Sequence, residues 1–187
     1  MTHIGILGGS FSPPHIGHLW IAQQAIEDNN LDEVWLMPNS GLGHYGKAPT
    51  ASAEDRLSMC YAMTNKDLPA DVTIHTADFE ISNKMEYTCQ LVEFLNNPYY
   101  SDNQFYLIIG GDWDITKFKD WERITSAFEL IIIHRPGDMD CGTNEKQKIA
   151  FDISSSILRD RISKGKTIRG LVTPSVELYI KDHNLYV

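Results

Sequence analysis

The segment NQFYLIIGG, residues 103–111, is an almost unbroken apolar run between polar residues and a glycine pair. Such a run reads as a strand buried on both faces, the state of a strand inside a parallel sheet. The rest of the chain alternates around it. Strands are predicted at HIGILG, at DEVWLMP ending in Pro38, at DVTIHT, at FELIIIHRPG ending at Pro136, and as a last short IAFDI. Helices are predicted at HIGHLWIAQQAIEDNN, SAEDRLSMCYAMTN, EYTCQLVEFLNN (stopped by Pro98), DWDITKFKDWERITSA (broken near Asp120), SSSILRDRISKG (ending at Gly165) and TPSVELYIKDHNLY. Alternation of this kind implies an α/β fold: an open, Rossmann-like, mainly parallel sheet with helices on both faces, plus a small C-terminal helical part. Ligands of such sheets sit beyond the carboxyl ends of the strands.

The chain has 187 residues, which suits a single domain over 1–187. Its net charge of −9 argues against bulk binding to nucleic acid or membrane surfaces, where a broad basic face is expected. An anionic small molecule in a local cationic pocket remains compatible with that charge. Cys60, Cys89 and Cys141 form no CxxC pair, so neither a zinc site nor a disulfide framework is expected, and buried thiols in a reducing cytoplasm are. No run approaches the length of a membrane span. A homo-oligomer is compatible with the sequence. The polar connection DMDCGTNEKQK is the expected variable stretch, and NSGLGHYGKAPT a long candidate functional loop.

The chemistry concentrates at GGSFSPPHIGH, residues 8–18. His15 and His18 are three apart and share one helix face. Pro14 suits the first helical position, and Gly8, Gly9 and Ser10 form a turn of small residues that lets backbone N–H groups approach a ligand. Cationic side chains normally oppose the positive end of a helix. A phosphate between them and the helix start removes the conflict. The alternative is a pair of surface histidines after a structural turn. Neither GxGxxG nor a Walker loop occurs at this point. A second helix start, ISSSILR at residues 153–159, repeats the anomaly: Ser154, Ser155 or Ser156 caps the helix, and Arg159 falls in its first turns. A polyphosphate would give that guanidinium a forked partner.

With these residues in view, GGSFSPPHIGH resembles the GGxFxPxHxGH signature of the nicotinate and nicotinamide mononucleotide adenylyltransferases, and ISSSILR their ISxxxxR motif. EYTCQLVEFL, FYLIIGGDWD and FELIIIHRPG resemble the family's internal blocks in the right order. The resemblance runs from residue 4 to the C-terminal helix. It implies transfer of adenylyl from ATP to a pyridine mononucleotide by direct in-line attack, with Mg²⁺ riding on the ATP phosphates and no protein-held metal.

By this resemblance His15, His18 and Arg159 are the catalytic candidates. Gly8, Gly9, Ser10 and Phe11 would line the floor between the nucleotides, Ser154, Ser155 and Ser156 would hold the β- and γ-phosphates, and Gly110 and Asp112 would contact adenosine. Ser10, Asn39, Lys47, Tyr87, Thr88, Trp121 and Arg135 would bind the mononucleotide. Asp112 serves equally as a helix cap, Trp121 as a core aromatic, and Tyr87–Thr88 as a plain helix start. Arg56 either faces the loop or pairs with acids on its own helix.

Three features depart from the nicotinate-type pattern. Ser12 replaces the usual aspartate, Tyr45 replaces the basic neighbour of His44, and Trp113 has no obvious counterpart. YGK with Arg56 nine residues on resembles the nicotinamide-preferring enzymes, and EYT the nicotinate type, so the expectation leans to nicotinamide. The rival readings are another HxGH nucleotidyltransferase, acting on phosphopantetheine or an alcohol phosphate, and a non-catalytic nucleotide-binding regulator.

Overall fold

Most strands of the sheet alternate their side chains between two separate apolar cores. On β4 (Asn103–Gly110), Phe105, Leu107 and Ile109 point to one core and Ile108 to the other. On β1 (Thr2–Gly9), Ile4 and Ile6 oppose Leu7 in the same way. A strand buried on both faces has no polar side to show, which is why the sequence reads as continuous apolar runs. The computed structural model describes residues 1–41, 49–110, 116, 118–133 and 153–187.

Within these residues five strands pair in the order β3-β2-β1-β4-β5, all parallel, with β2 at Glu33–Pro38, β3 at Ile74–Thr76 and β5 at Glu129–Ile133. One core lies under α1 (Ile16–Asn29), α2 (Ala53–Lys66), and two later helices. The other lies under α3 (Phe79–Ser82), α4 (Thr88–Leu95) and α5 (Trp121–Ala127). The two later helices are α6 (Ser155–Ser163) and α7 (Pro174–Asp182). The expected doubly wound architecture is therefore present. Its strand order reverses between β1 and β4, and this opens a crevice at their carboxyl ends.

Local chemistry sets the helix boundaries. Ser52 caps α2 by accepting the Asp55 N–H at 3.0 Å, and Glu54 and Asp55 complement the dipole. Asp67, just past α2, accepts from the Ser175 N–H at 3.0 Å and the Ser175 hydroxyl at 2.9 Å. A carboxylate from one helix thus caps another, and α7 is fixed against α2. The Tyr179 hydroxyl adds a bond to Asp55 at 3.0 Å.

Several boundaries differ from expectation. β3 begins only at Ile74, because the preceding residues turn and Val72 N–H bonds to the Pro69 carbonyl at 3.1 Å. The expected break near Asp120 is real: Asp120 is left-handed at φ 56° and α5 starts after it, whereas residues 118–120 are not helical. α3 and a short 3₁₀ turn at Pro98–Tyr100 were not legible as apolar periodicity. The C-terminal helix stops at Asp182, and the last residues fold back with Tyr186 at φ 66°. Pro14 is not the first helical residue: α1 begins at Ile16 with His15 as its cap, extended at φ −149°, ψ 170°. Residues 149–152 of IAFDI, the 138–148 connection and Cys141 lie outside the described residues; Cys60 and Cys89 are buried free thiols. No described helix is long and apolar enough to cross a membrane.

Candidate active site

The first two helix starts singled out by charge meet at one place. Ser154 caps α6, accepting the Ile157 N–H at 3.4 Å. Ser155 Oγ donates to the Pro13 carbonyl at 2.8 Å, and Arg159 Nη1 to the Ser12 carbonyl at 2.7 Å. α6 is therefore bolted to the loop that leads into α1. Gly17 explains how closely they approach: a Cβ there would lie 2.7 Å from Ile153 Cγ2 and 3.0 Å from His15 Nδ1. A side chain at that position would force Ile153 or His15 to shift.

His15 is buried at 2% exposure and its ring stacks on His18 with centroids 3.7 Å apart. The His15 backbone N–H donates to His18 Nδ1 at 3.1 Å. A nitrogen that accepts an N–H carries no proton, so His18 keeps its ring proton on Nε2 and is neutral in this arrangement. The charge anomaly is thereby smaller than the sequence suggests: His18 presents a neutral N–H donor, not an ammonium-like cation. The first amide of α1 is also committed, since Ile16 N–H bonds to the Leu171 carbonyl at 3.1 Å. Phe11, expected on the floor of the site, is buried instead at 1% exposure, with its ring 4.6 Å from that of His18. It holds φ 46°, a strained value for an aromatic residue, and braces His18 from below.

A cavity of about 380 Å³ opens above these groups at the β1/β4 switch. One end is lined by His15, His18, Ser154 and Ser155, with Gly8, Gly9 and Ser10 along β1. Gly110, at the end of β4, and Ile133, at the end of β5, lie on one side. Asn39, Glu80, Glu86, Thr88 and Phe118 form the remaining wall. Ser156 hydrogen-bonds Ser154 through their hydroxyls at 2.9 Å.

Arg56, which sequence reasoning left undecided, is buried at 1% exposure and turns inward, away from the acids of its own helix. Nη1 donates to the Ser10 carbonyl at 2.8 Å and to Asn39 Oδ1 at 3.2 Å, and Nη2 donates to the Asn39 carbonyl at 2.7 Å. It ties the β1 loop to the end of β2. With Oδ1 held by Arg56, the amide nitrogen of Asn39 is the end left to donate to a ligand. Glu80 lies near Arg56; burial pushes its carboxyl up to about 7, and the guanidinium pulls it back only in part. Glu80 carries no recognisable motif, and only its place after β3 brings it to the cavity. Tyr186 is a further residue that no local pattern reveals: its hydroxyl hydrogen-bonds that of Ser12 at 3.2 Å across nearly the whole chain. Burial raises the Tyr186 phenol to about 12.

The pyridine-side candidates are more scattered. Thr88 lines the cavity at the start of α4. Tyr87 caps that helix, but its N–H donates to Gln90 Oε1 at 3.0 Å, and Lys119 Nζ stands 4.3 Å over its ring. Trp121 opens α5 and packs 5.1 Å from Phe118 and against the second core; among the described residues Phe118, not Trp121, contributes to the cavity wall. Lys47, Asp112 and Arg135, with His44, Tyr45 and Trp113, lie outside the described residues.

A parallel sheet whose switch crevice is faced by an HxGH helix start and a serine-capped, arginine-bearing helix start defines a nucleotide-binding α/β protein of the nucleotidyltransferase class. The family described as cytidylyltransferase-like matches residues 6–161. A "Probable nicotinate-nucleotide adenylyltransferase" of Shouchella clausii is 37% identical, with 100% of this chain and 97% of the relative covered. A protein of the same name from Lactiplantibacillus plantarum is 35% identical, covering 98% and 87%. The solved Plasmodium falciparum nicotinic acid mononucleotide adenylyltransferase, complexed with NaAD, shares the fold at a TM-score of 0.79 and 23% identity, over 100% of this chain and 98% of that one. The chain belongs to the cytidylyltransferase-like family and, within it, to the nicotinate and nicotinamide mononucleotide adenylyltransferases.

Proposed function

We propose that residues 1–187 act as a single nucleotidyltransferase domain that joins ATP to a pyridine mononucleotide, releasing pyrophosphate. The observation that carries this is the meeting of the α1 and α6 starts on one cavity at the β1/β4 switch. Phosphoryl chemistry of this kind asks the protein chiefly to align reactants and stabilise charge. An oxygen of the mononucleotide 5′-phosphate attacks the α-phosphorus of ATP. The bond from that phosphorus to the bridging oxygen breaks, and pyrophosphate leaves with the electron pair. No covalent enzyme intermediate and no proton transfer is needed.

The side chains divide the work. His18 Nε2–H and the His15 ring stabilise the charge that builds on the α-phosphoryl oxygens. Ser154, Ser155, Ser156 and Arg159 hold the β- and γ-phosphates. Because Arg159 and Ser155 already grip the Ser12 and Pro13 carbonyls, the phosphate site and the histidine loop move as one piece. Gly8, Gly9 and Ser10 pass between the two nucleotides, Gly110 faces adenosine, and Asn39 and Thr88 face the mononucleotide. Asp112, Lys47, Trp121, Tyr87 and Arg135 complete the proposed set.

The donors at the phosphate end suit Mg²⁺ carried by the nucleotide. They are imidazoles, hydroxyls and a guanidinium, whereas Mg²⁺ takes oxygen ligands and favours carboxylates and phosphates. Among the described residues no group of three or more His, Cys, Asp or Glu converges to hold a metal. Bound through the triphosphate, the ion would neutralise charge on the leaving group.

The names of the relatives weigh toward the nicotinate acceptor, against the lean from YGK and Arg56. Incubation with ATP, Mg²⁺ and each acceptor in turn, with dinucleotide and pyrophosphate both measured, tests the proposal. The expected result is dinucleotide from a pyridine mononucleotide and none from phosphopantetheine. ATP binding without turnover of any acceptor would leave the regulator in its place.

A further inference from the structure

The two ends of the cavity are opposite in character. The phosphate end offers imidazoles, hydroxyls and a nearby guanidinium; the wall by β2 and α3 offers the carboxyl groups of Glu80 and Glu86, with the Arg56 guanidinium behind it already engaged by Ser10 and Asn39. If the chain performs adenylyl transfer as proposed above, the acceptor's reacting phosphate must lie at the first end. Its ring, at the far end of the same nucleotide, then lies toward the second, with adenosine on the Gly110 side. The two acceptors differ only in the ring substituent. Nicotinate carries an anionic acceptor group, and nicotinamide a neutral amide with two N–H donors.

We infer that Glu80 reads the charge of that substituent, favouring the carboxamide when ionised and donating to the carboxylate when protonated. An ionised carboxyl accepts an amide N–H and repels a carboxylate. A protonated one offers a donor that a carboxylate can accept. Burial of Glu80 pushes its carboxyl up to about 7, so its charge changes within the neutral range.

Among the described residues, Arg56 is the charged group that acts on the Glu80 carboxyl, pulling it down in part against burial. Arg56, from α2, keeps its charge throughout and is engaged by Ser10 and Asn39. Lys119, ahead of α5, stands over Tyr87. Asp78, on the same segment, accepts from the Ser82 hydroxyl at 2.5 Å. Glu86 shares the cavity wall and is tested separately. His15 and His18 face the phosphate end, which is common to both acceptors.

The test is competition between the two mononucleotides in one vessel, from pH 5.5 to 8.5, with kcat/KM taken as a nicotinamide-to-nicotinate ratio. Titration of the shared phosphate and of the histidines cancels in that ratio, as does any change in the folded fraction. The ratio is expected to rise about tenfold or more with a midpoint near 7, mainly through KM, since the ring is remote from the reacting phosphorus. Glu80→Gln should flatten the profile, and Glu80→Asp should keep a rise. Glu86→Gln should leave the midpoint in place. A flat ratio in the parent protein overturns the inference, as does a rise that survives Glu80→Gln or disappears with Glu86→Gln. Dinucleotide formation from neither acceptor would instead bring down the adenylyl-transfer proposal on which the inference depends.

Discussion

The two walls of the cavity are built by different rules. The phosphate wall comes from two short motifs whose residues are close in sequence, and its main ties are backbone carbonyls of one motif held by side chains of the other. The opposite wall has no such motif. It is assembled by Arg56 reaching from α2 to Ser10 and Asn39, and by Glu80 arriving on a four-residue helix after β3. The contrast teaches that a phosphate is recognised by repeatable backbone geometry, whereas a ring and its substituent are recognised by side chains that many elements can supply.

The contrast can be broken hardest at His18. His18→Ala should lower kcat by about 10²–10³ while weakening ATP binding much less, as expected for a donor used mainly in the transition state. Steady-state kinetics beside direct ATP binding checks this; equal losses in both would reduce His18 to a ground-state anchor. Arg56→Met comes next. It strips three hydrogen bonds from Ser10 and Asn39, so chemical denaturation should show a loss of about 2–4 kcal/mol, accompanied by a higher KM for the mononucleotide than for ATP.

Glu80 sharpens the comparison through pH. Its folded carboxyl holds a proton up to about 7, above the ordinary value of 4.5, so between those values the folded chain binds more protons than the unfolded one. Stability from this group is therefore present below pH 4.5 and declines as pH rises toward 7. Glu80→Gln should remove that decline and be more stable than the parent at pH 8 by on the order of 2 kcal/mol, read by chemical denaturation. A variant less stable than the parent at pH 8 would contradict the assignment. The smallest effect is expected at Tyr186→Phe, which deletes only the bond to Ser12 and should cost about 0.5–1.5 kcal/mol in denaturant with little change in kcat.

Legibility follows the range of the interactions. The parallel sheet could be read because each buried strand writes itself as a local apolar run, and β1, β2, β4 and β5 stand within a few residues of where those runs predict. α3 is too short to show a period, and β3 lost half its expected length to a turn closed by Pro69. In the sequence Gly17 is only one residue of a motif; its packing against Ile153 appears only once the second helix start is in place.

From the sequence alone follow the layer architecture and the places where two helices begin with donors instead of carboxylates, because strand burial, capping and dipole effects act over a few neighbouring residues. Only the folded chain decides that those helix starts face each other and that His18 is held as a neutral donor. It alone turns Arg56 inward to the β1 loop and brings Tyr186 back to Ser12. Each of these depends on contacts between distant segments, whose partners no local pattern specifies.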